Sequence, residues 1–143
     1  MTMTGLFLLP FLGHFGLVCG LYLWLTIVRK RAVGTGEARL SDYVRADGDP
    51  AHARRIQRNL ANQFELPVFA LFAAVLLIVW KAVGWFDVAA AWLFLAGRIA
   101  HTLVQTLSDD VALRGYVFVV NFLAVALLMA HVAWIVLSSA VPL

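Results

Sequence analysis

The sequence predicts an all-α integral membrane protein, an antiparallel bundle of four transmembrane helices. Three observations predict it. Of the 143 residues, 63% are hydrophobic and only 13% are charged, against about a quarter charged in a soluble domain. Four long apolar runs stand at about 6–28, 60–80, 88–107 and 115–137. Each has roughly the 20 residues that a helix needs to cross the hydrocarbon core. Backbone groups in lipid must be satisfied internally, so helices are the expected form. Short connections after the second and third runs make the helices alternate in direction. The four spans leave no soluble domain over, so residues 1–143 are expected to form one membrane domain.

The first run reads as a retained span. No basic region precedes it, it is long for a signal peptide, and Arg29-Lys30-Arg31 stops it. Its single cysteine, Cys19, rules out a disulfide framework and is expected to pack inertly.

The connection at about 29–57 is the long one. Eight of the eleven Lys and Arg residues lie between Arg29 and Arg58. The positive-inside rule therefore puts this loop in the cytoplasm and both termini outside. A basic stretch also raises nucleic acid as a partner. Glu37, Asp42, Asp47 and Asp49 interrupt it beside a membrane, so topology and anionic headgroups explain it better and no nucleic-acid partner is expected. Within the loop, Ala38–Val44 is expected to form a short surface helix. Asp49-Pro50 is expected to start a second one, with Asp49 as N-cap and Pro50 at N1.

That helix is expected to run into the second span and to kink near Gln63–Glu65, because Pro67 removes a backbone donor and crowds the preceding turn. Trp80, Trp85, Trp92 and Trp134 fall towards the outer side and Trp24 towards the inner side, as interfacial anchors do. His14 and His131 stand alone on their spans and are expected to bond to neighbouring helices. No pair of His, Cys or acidic residues has metal-site spacing, so no metal is expected. The chain has neither a phosphate-binding Gly loop nor a nucleophile elbow.

The chemistry lies in two polar rows. Arg58, Asn62 and Glu65 are spaced i, i+4, i+7, and Arg98, His101 and Gln105 are spaced i, i+3, i+7. Each row falls on one face of a continuous helix. Arg114 and Asn121 repeat the i, i+7 spacing on the fourth span. At 1.5 Å per residue, Glu65, Arg98 and His101 lie on the order of 9–14 Å below the cytoplasmic surface. Ionisable groups at that depth are costly and usually face a protein interior or a wet cavity. Two readings stay open. In one, Glu65 pairs with Arg98 and the amides join helices. In the other, Arg58, Arg98 and Arg114 form a pocket for an anionic ligand whose ammonium meets Glu65. Arginines outnumber the one acid, and guanidinium binds carboxylate or phosphate bidentately.

Arg58-x3-Asn62-x2-Glu65 followed by Pro67 resembles the second-helix signature of the MAPEG family, the membrane-associated proteins in eicosanoid and glutathione metabolism. Arg98-x2-His101-x3-Gln105, then Arg114 after a short link, is similar to the third and fourth helices of the prostaglandin E synthase branch. The resemblance implies a homotrimer with glutathione between protomers near the cytoplasmic face. It implies that Arg58, Asn62, Glu65, Arg98, His101 and Gln105 bind the tripeptide and that Arg114 stabilises its thiolate. Arg29 is a looser match to a first-helix arginine. Two departures stand out: Gln105 and Leu66 occupy positions where family enzymes carry tyrosine.

Three functions follow as expectations. The first is a glutathione transferase or peroxidase acting on small lipophilic electrophiles from the bilayer. The second is a non-catalytic protein that keeps the pocket for a small anion or lipid headgroup. The third is a small transporter, disfavoured because so many arginines would repel a cationic drug. The membrane expected is a bacterial inner membrane.

Overall fold

The computed structural model describes residues 1–45 and 47–138. Those residues form helices and loops without a strand. Four helical stretches are long and apolar enough to cross a membrane: Met3–Gly34, Ala51–Val79, Trp85–Leu107 and Val111–Leu137. The second is broken, so five α-helices follow in order: α1 Met3–Gly34, α2 Ala51–Asn62, α3 Pro67–Val79, α4 Trp85–Leu107 and α5 Val111–Leu137. The end of the bundle that carries the long connection is called the loop end.

α1 outlasts the apolar run that predicts it. Arg29, Lys30 and Arg31 end the hydrophobic stretch but not the helix, because long cationic side chains are good helix formers. The helix stops at Gly34, and Gly36 follows at φ +77°, a conformation that only glycine adopts without strain. At 32 residues, α1 is about 48 Å long and its last turns project beyond a hydrocarbon core of about 30 Å.

The loop folds back on that projection. The expected surface helix is a 3-10 helix at Leu40–Val44. Its Tyr43 hydroxyl donates to the Arg29 carbonyl at 3.2 Å, and the Arg29 guanidinium sits 5.1 Å from the Tyr43 ring centre. Asp49 does not cap α2. Pro50 is the N-cap, without a side-chain bond. The Asp49 carboxylate is buried and instead takes Arg29 Nε at 2.7 Å and Nη2 at 2.5 Å. A buried carboxylate gains more from a bidentate cation than from a backbone N–H. This pair binds the start of α2 to the end of α1.

The break between α2 and α3 is the expected kink. Pro67 has no N–H to offer the Gln63 carbonyl, and its ring crowds that turn. Residues 63–66 close instead with tighter three-residue bonds, Gln63 N to Leu60 O and Phe64 N to Ala61 O. α4 and α5 each begin three or four residues before their apolar runs, because acids cap them. The Asp87 carboxylate accepts from Gly84 N at 2.8 Å, and that of Asp110 from Leu113 N at 2.9 Å.

The helices run up, down, up and down. His131 meets Asp87 and Asn121 meets Phe94, so α4 and α5 are antiparallel; Arg29 meets Asp49 and His14 meets Gln63, so α1 and α2 are too. α4 packs on α1, α2 and α5 and is the most enclosed helix. Both isolated histidines bond across helices as expected.

The core has two apolar parts. One, towards the far end, gathers Phe7, Phe11, Ala73, Leu77, Phe94 and Leu128 from four helices. The other joins Val18, Leu21 and Leu25 of α1 to Ala53, Ile56 and Leu60 of α2. Between them lies a layer of buried polar side chains. α4 and α5 approach closely there: a Cβ on Gly97 would lie 3.2 Å from Asn121 Cα. Gly97→Val should therefore push the two helices apart and cost about 1–3 kcal/mol. The check is the unfolding temperature in detergent, which should fall clearly below that of wild type.

Candidate functional site

The polar layer is built around Gln63, in the turn that Pro67 creates. The side chain is 1% exposed. Its Oε1 accepts from Arg98 Nε at 3.0 Å and lies 3.0 Å from His14 Nε2. Because Arg98 only donates, Oε1 must face it, and the His14 Nε2 must then carry the proton. Gln63 Nε2 donates to Asn59 Oδ1 at 2.9 Å and Thr102 Oγ1 at 3.3 Å. One carboxamide thus links α1, α2 and α4.

Arg98 is also 1% exposed. Its Nη2 donates to the Asn62 carbonyl at 3.2 Å and its Nη1 to Asn121 Oδ1 at 3.4 Å. The Asn62 carbonyl ends α2, where the helix dipole favours a cation. Asn121 passes the connection on, donating from Nδ2 to Phe94 O at 3.2 Å. No carboxylate lies within 4 Å of Arg98 among the described residues. The ion pair between Glu65 and Arg98, one of the two sequence readings, is therefore not formed. Backbone and amide oxygens hold the guanidinium instead.

The reason is the break. Arg58, Asn62 and Glu65 share a face only on a continuous helix, and α2 ends at Asn62. Glu65 lies in the turn, exposed at the protein surface.

Towards the loop end the layer opens into two adjoining depressions. One, of about 220 Å³, is lined by Arg55, Arg58, Gln105, Asp109, Asp110 and Arg114. The other, of about 360 Å³, is lined by Asn62, His101, Gln105, Arg114, Gly115 and Phe118. Gln105, Val111 and Arg114 line both, so the two depressions are neighbours. Five of the seven sequence-predicted residues meet here: Arg58, Asn62, His101, Gln105 and Arg114. Arg98 sits behind them in the polar layer, and Glu65 lines neither depression.

The charges in this space are unevenly matched. Asp109 pairs with Arg55, and Asp110 caps α5. Arg58 and Arg114 have no acidic partner among the described residues and are exposed. Gln105 Oε1 accepts from Asn59 Nδ2 at 2.8 Å and Asn62 Nδ2 at 3.2 Å, which leaves its amide N–H groups as free donors. His101 is 3% exposed, and its Nδ1 has no partner among the described residues. Two free guanidiniums, amide donors and a histidine suit a small anion with further polar groups.

A family model described as the MAPEG family matches residues 7–134. The chain belongs to the MAPEG family. The match runs from α1 to near the end of α5, so it takes in every residue of the layer and of the depressions. Searches of the curated proteins and of the solved structures each give no match. Membership makes this an integral multi-pass membrane protein of a family concerned with eicosanoid and glutathione metabolism.

Sequence reasoning missed Asn59, Gln63 and Thr102. Asn59 and Gln63 are spaced i, i+4, as are Thr102 and Thr106, so the signal was present beside the rows. These residues carry no charge, and amides and hydroxyls were weighed below arginines. Gln63→Leu should strip a partner from Arg98, His14, Asn59 and Thr102 together. Each orphaned group costs about 1–3 kcal/mol, so the variant should lose several kcal/mol and unfold at a markedly lower temperature in detergent.

Proposed function

We propose that this MAPEG protein binds glutathione in the depressions lined by Arg58, Asn62, His101, Gln105 and Arg114, and acts as a glutathione transferase or peroxidase on lipophilic electrophiles. The observation that carries the reading is the pair of guanidiniums, Arg58 and Arg114, that have no acidic partner among the described residues and line the same depression. Glutathione has two carboxylates for such donors, which bind carboxylate bidentately. Arg114 also suits the thiol: a nearby cation lowers a thiol pKa and raises the thiolate fraction. Arg98 serves the site from behind, holding the Asn62 carbonyl and so the end of α2. Glu65 would meet the glutathione amino group from the neighbouring turn.

The exposed start of α5 supports a homotrimer. Residues 111–116 are uncovered in the single chain, and Val111, Leu113 and Tyr116 are large and apolar there. A neighbouring protomer would cover this strip and close the depressions, and its lipid-facing surface would admit the second substrate. With the basic loop on the cytoplasmic side, the site faces the cytoplasm and the termini lie outside. A bacterial inner membrane fits this arrangement.

Gln105 favours a second reading, a binding protein without turnover. Its Oε1 is already held by Asn59 and Asn62, and an amide has no acidic proton to give.

Glutathione should raise the unfolding temperature of the detergent-purified protein, since a ligand of the native state stabilises by mass action, by about 2.7 kcal/mol at 100 times Kd. Arg58→Ala should abolish the shift. No shift at millimolar glutathione in wild type would overturn the binding reading. Conjugation to 1-chloro-2,4-dinitrobenzene then separates the two functions. Turnover that falls about tenfold or more in Arg114→Ala supports the enzyme. Binding without turnover leaves the binding protein.

A further inference from the structure

A crevice at the loop end lies apart from the polar depressions, between the last turns of α1 and the 3-10 helix Leu40–Val44. It measures about 310 Å³ and is lined by Thr26, Arg29, Lys30, Val33, Leu40 and Tyr43. Its level in the membrane follows from the chain. The apolar run of α1 ends at about Val28, and the Tyr43 hydroxyl bonds to the carbonyl of the next residue, Arg29. The loop thus returns from the end of α1 to the boundary of the hydrocarbon core, where phospholipid headgroups begin.

Two features of the crevice point to a ligand. The first is charge. Arg29 is already engaged, held bidentately by Asp49 and set against the Tyr43 ring. Lys30, the other cation of the walls, is exposed and has no acidic partner among the described residues. The second is the apolar surface around it. Leu40 is 76% exposed at the rim, although the loop that carries it is otherwise rich in charge. On α1, Leu23 and Ile27 are exposed and share the face of Lys30, at i, i+4 and i+7. They continue an apolar strip from the crevice into the membrane. A cation with an apolar strip directly beneath it matches an anionic headgroup with its acyl chain. A soluble anion would gain nothing from the strip.

We propose that the crevice binds one anionic diacyl phospholipid of the bilayer. Its phosphate meets the Lys30 ammonium, its glycerol backbone packs on Val33 and Leu40, and an acyl chain descends α1 over Ile27 and Leu23. Lysine serves here as a point charge on a flexible stem, which reaches phosphate without a fixed fork. The contact of Arg29 with Asp49 and Tyr43 gives the crevice a fixed wall. The site is therefore one place on the molecule, distinct from the diffuse attraction of a basic loop for anionic lipid. A lipid there touches both α1 and the 3-10 helix, so it should brace the loop. The inference does not rest on the glutathione reading, because none of the six lining residues lines either polar depression.

The test uses the full-length protein, delipidated in detergent, with dioleoylphosphatidylglycerol or dioleoylphosphatidylcholine added. Native mass spectrometry should show the first phosphatidylglycerol retained about fivefold better than phosphatidylcholine, the effect of one cation at a membrane surface. Lys30→Gln should bring the two lipids level. Arg31→Gln, one residue away but outside the crevice, should keep the preference, and so should Arg58→Ala, which removes a proposed glutathione contact. Phosphatidylglycerol should also slow hydrogen exchange at residues 38–44 in wild type but not in Lys30→Gln. Glycerophosphoglycerol, the same headgroup without chains, should not displace the lipid. Equal retention of the two lipids by wild type would overturn the proposal. Equal losses in Lys30→Gln and Arg31→Gln would also overturn it, assigning the preference to the overall charge of the loop. Displacement by the chainless headgroup would do so too, assigning the crevice to a soluble phosphate ester.

Discussion

The structure depends on keeping one guanidinium, that of Arg98, buried at membrane depth with no acid in contact with it among the described residues. A charge there is tolerated only when its donors are satisfied. The chain meets this with oxygens rather than a counter-ion: the Gln63 carboxamide, the Asn62 carbonyl and the Asn121 carboxamide. Each comes from a different device. Pro67 breaks the second span and brings Gln63 to α4, the same break ends α2 so that the Asn62 carbonyl is free, and Gly97 lets α5 come close enough for Asn121. Two apolar cores lie on either side of the layer.

Polarity then changes along the bundle in a graded way. Around Gln63 the polar side chains bond to one another within the protein and are buried. One helical turn nearer the loop end, Gln105 is bonded on one side only and His101 has a free nitrogen. Beyond them Arg58 and Arg114 are exposed and have no acidic partner among the described residues. Bonding within the protein thus decreases as free donors become more exposed, and under the proposed function the closed layer would preorganise the open site, which is how positioned groups gain affinity. The pair of Arg29 and Asp49 does the same work at the membrane surface, tying α1 to α2 and spending Arg29 on structure. The loose match of Arg29 to a ligand-binding arginine is met here by a residue already engaged with its own chain.

The fold was legible because hydropathy reports what faces lipid, and four apolar runs leave few alternatives. The helix ends were less legible. Charge marks where a span leaves the membrane, but caps such as Asp110 and a positive-φ glycine such as Gly36 decide where a helix starts or stops, so α1 and α5 both exceed their runs. The rows were half legible. Arg98, His101 and Gln105 stay on one face because α4 is continuous. Glu65 left its row because the rule of i, i+7 fails across a proline break, even though the break itself was expected. The bond from Arg29 to Asp49 joins residues far apart in sequence and leaves no local signature, and Asp49 looked like a cap because the residue before a proline so often is one.

The central claim is that Arg98 and Gln63 hold the break and preform the site beside it. Hydrogen–deuterium exchange on wild type and Arg98→Met tests it most directly, since protection reports local opening. Residues 59–66, and the segment around Asn121, should exchange faster in the variant, while the end of α1 tied by Asp49 should not change. Equal protection at 59–66 in both proteins would contradict the account and leave Pro67 and the apolar cores as sufficient to hold the break.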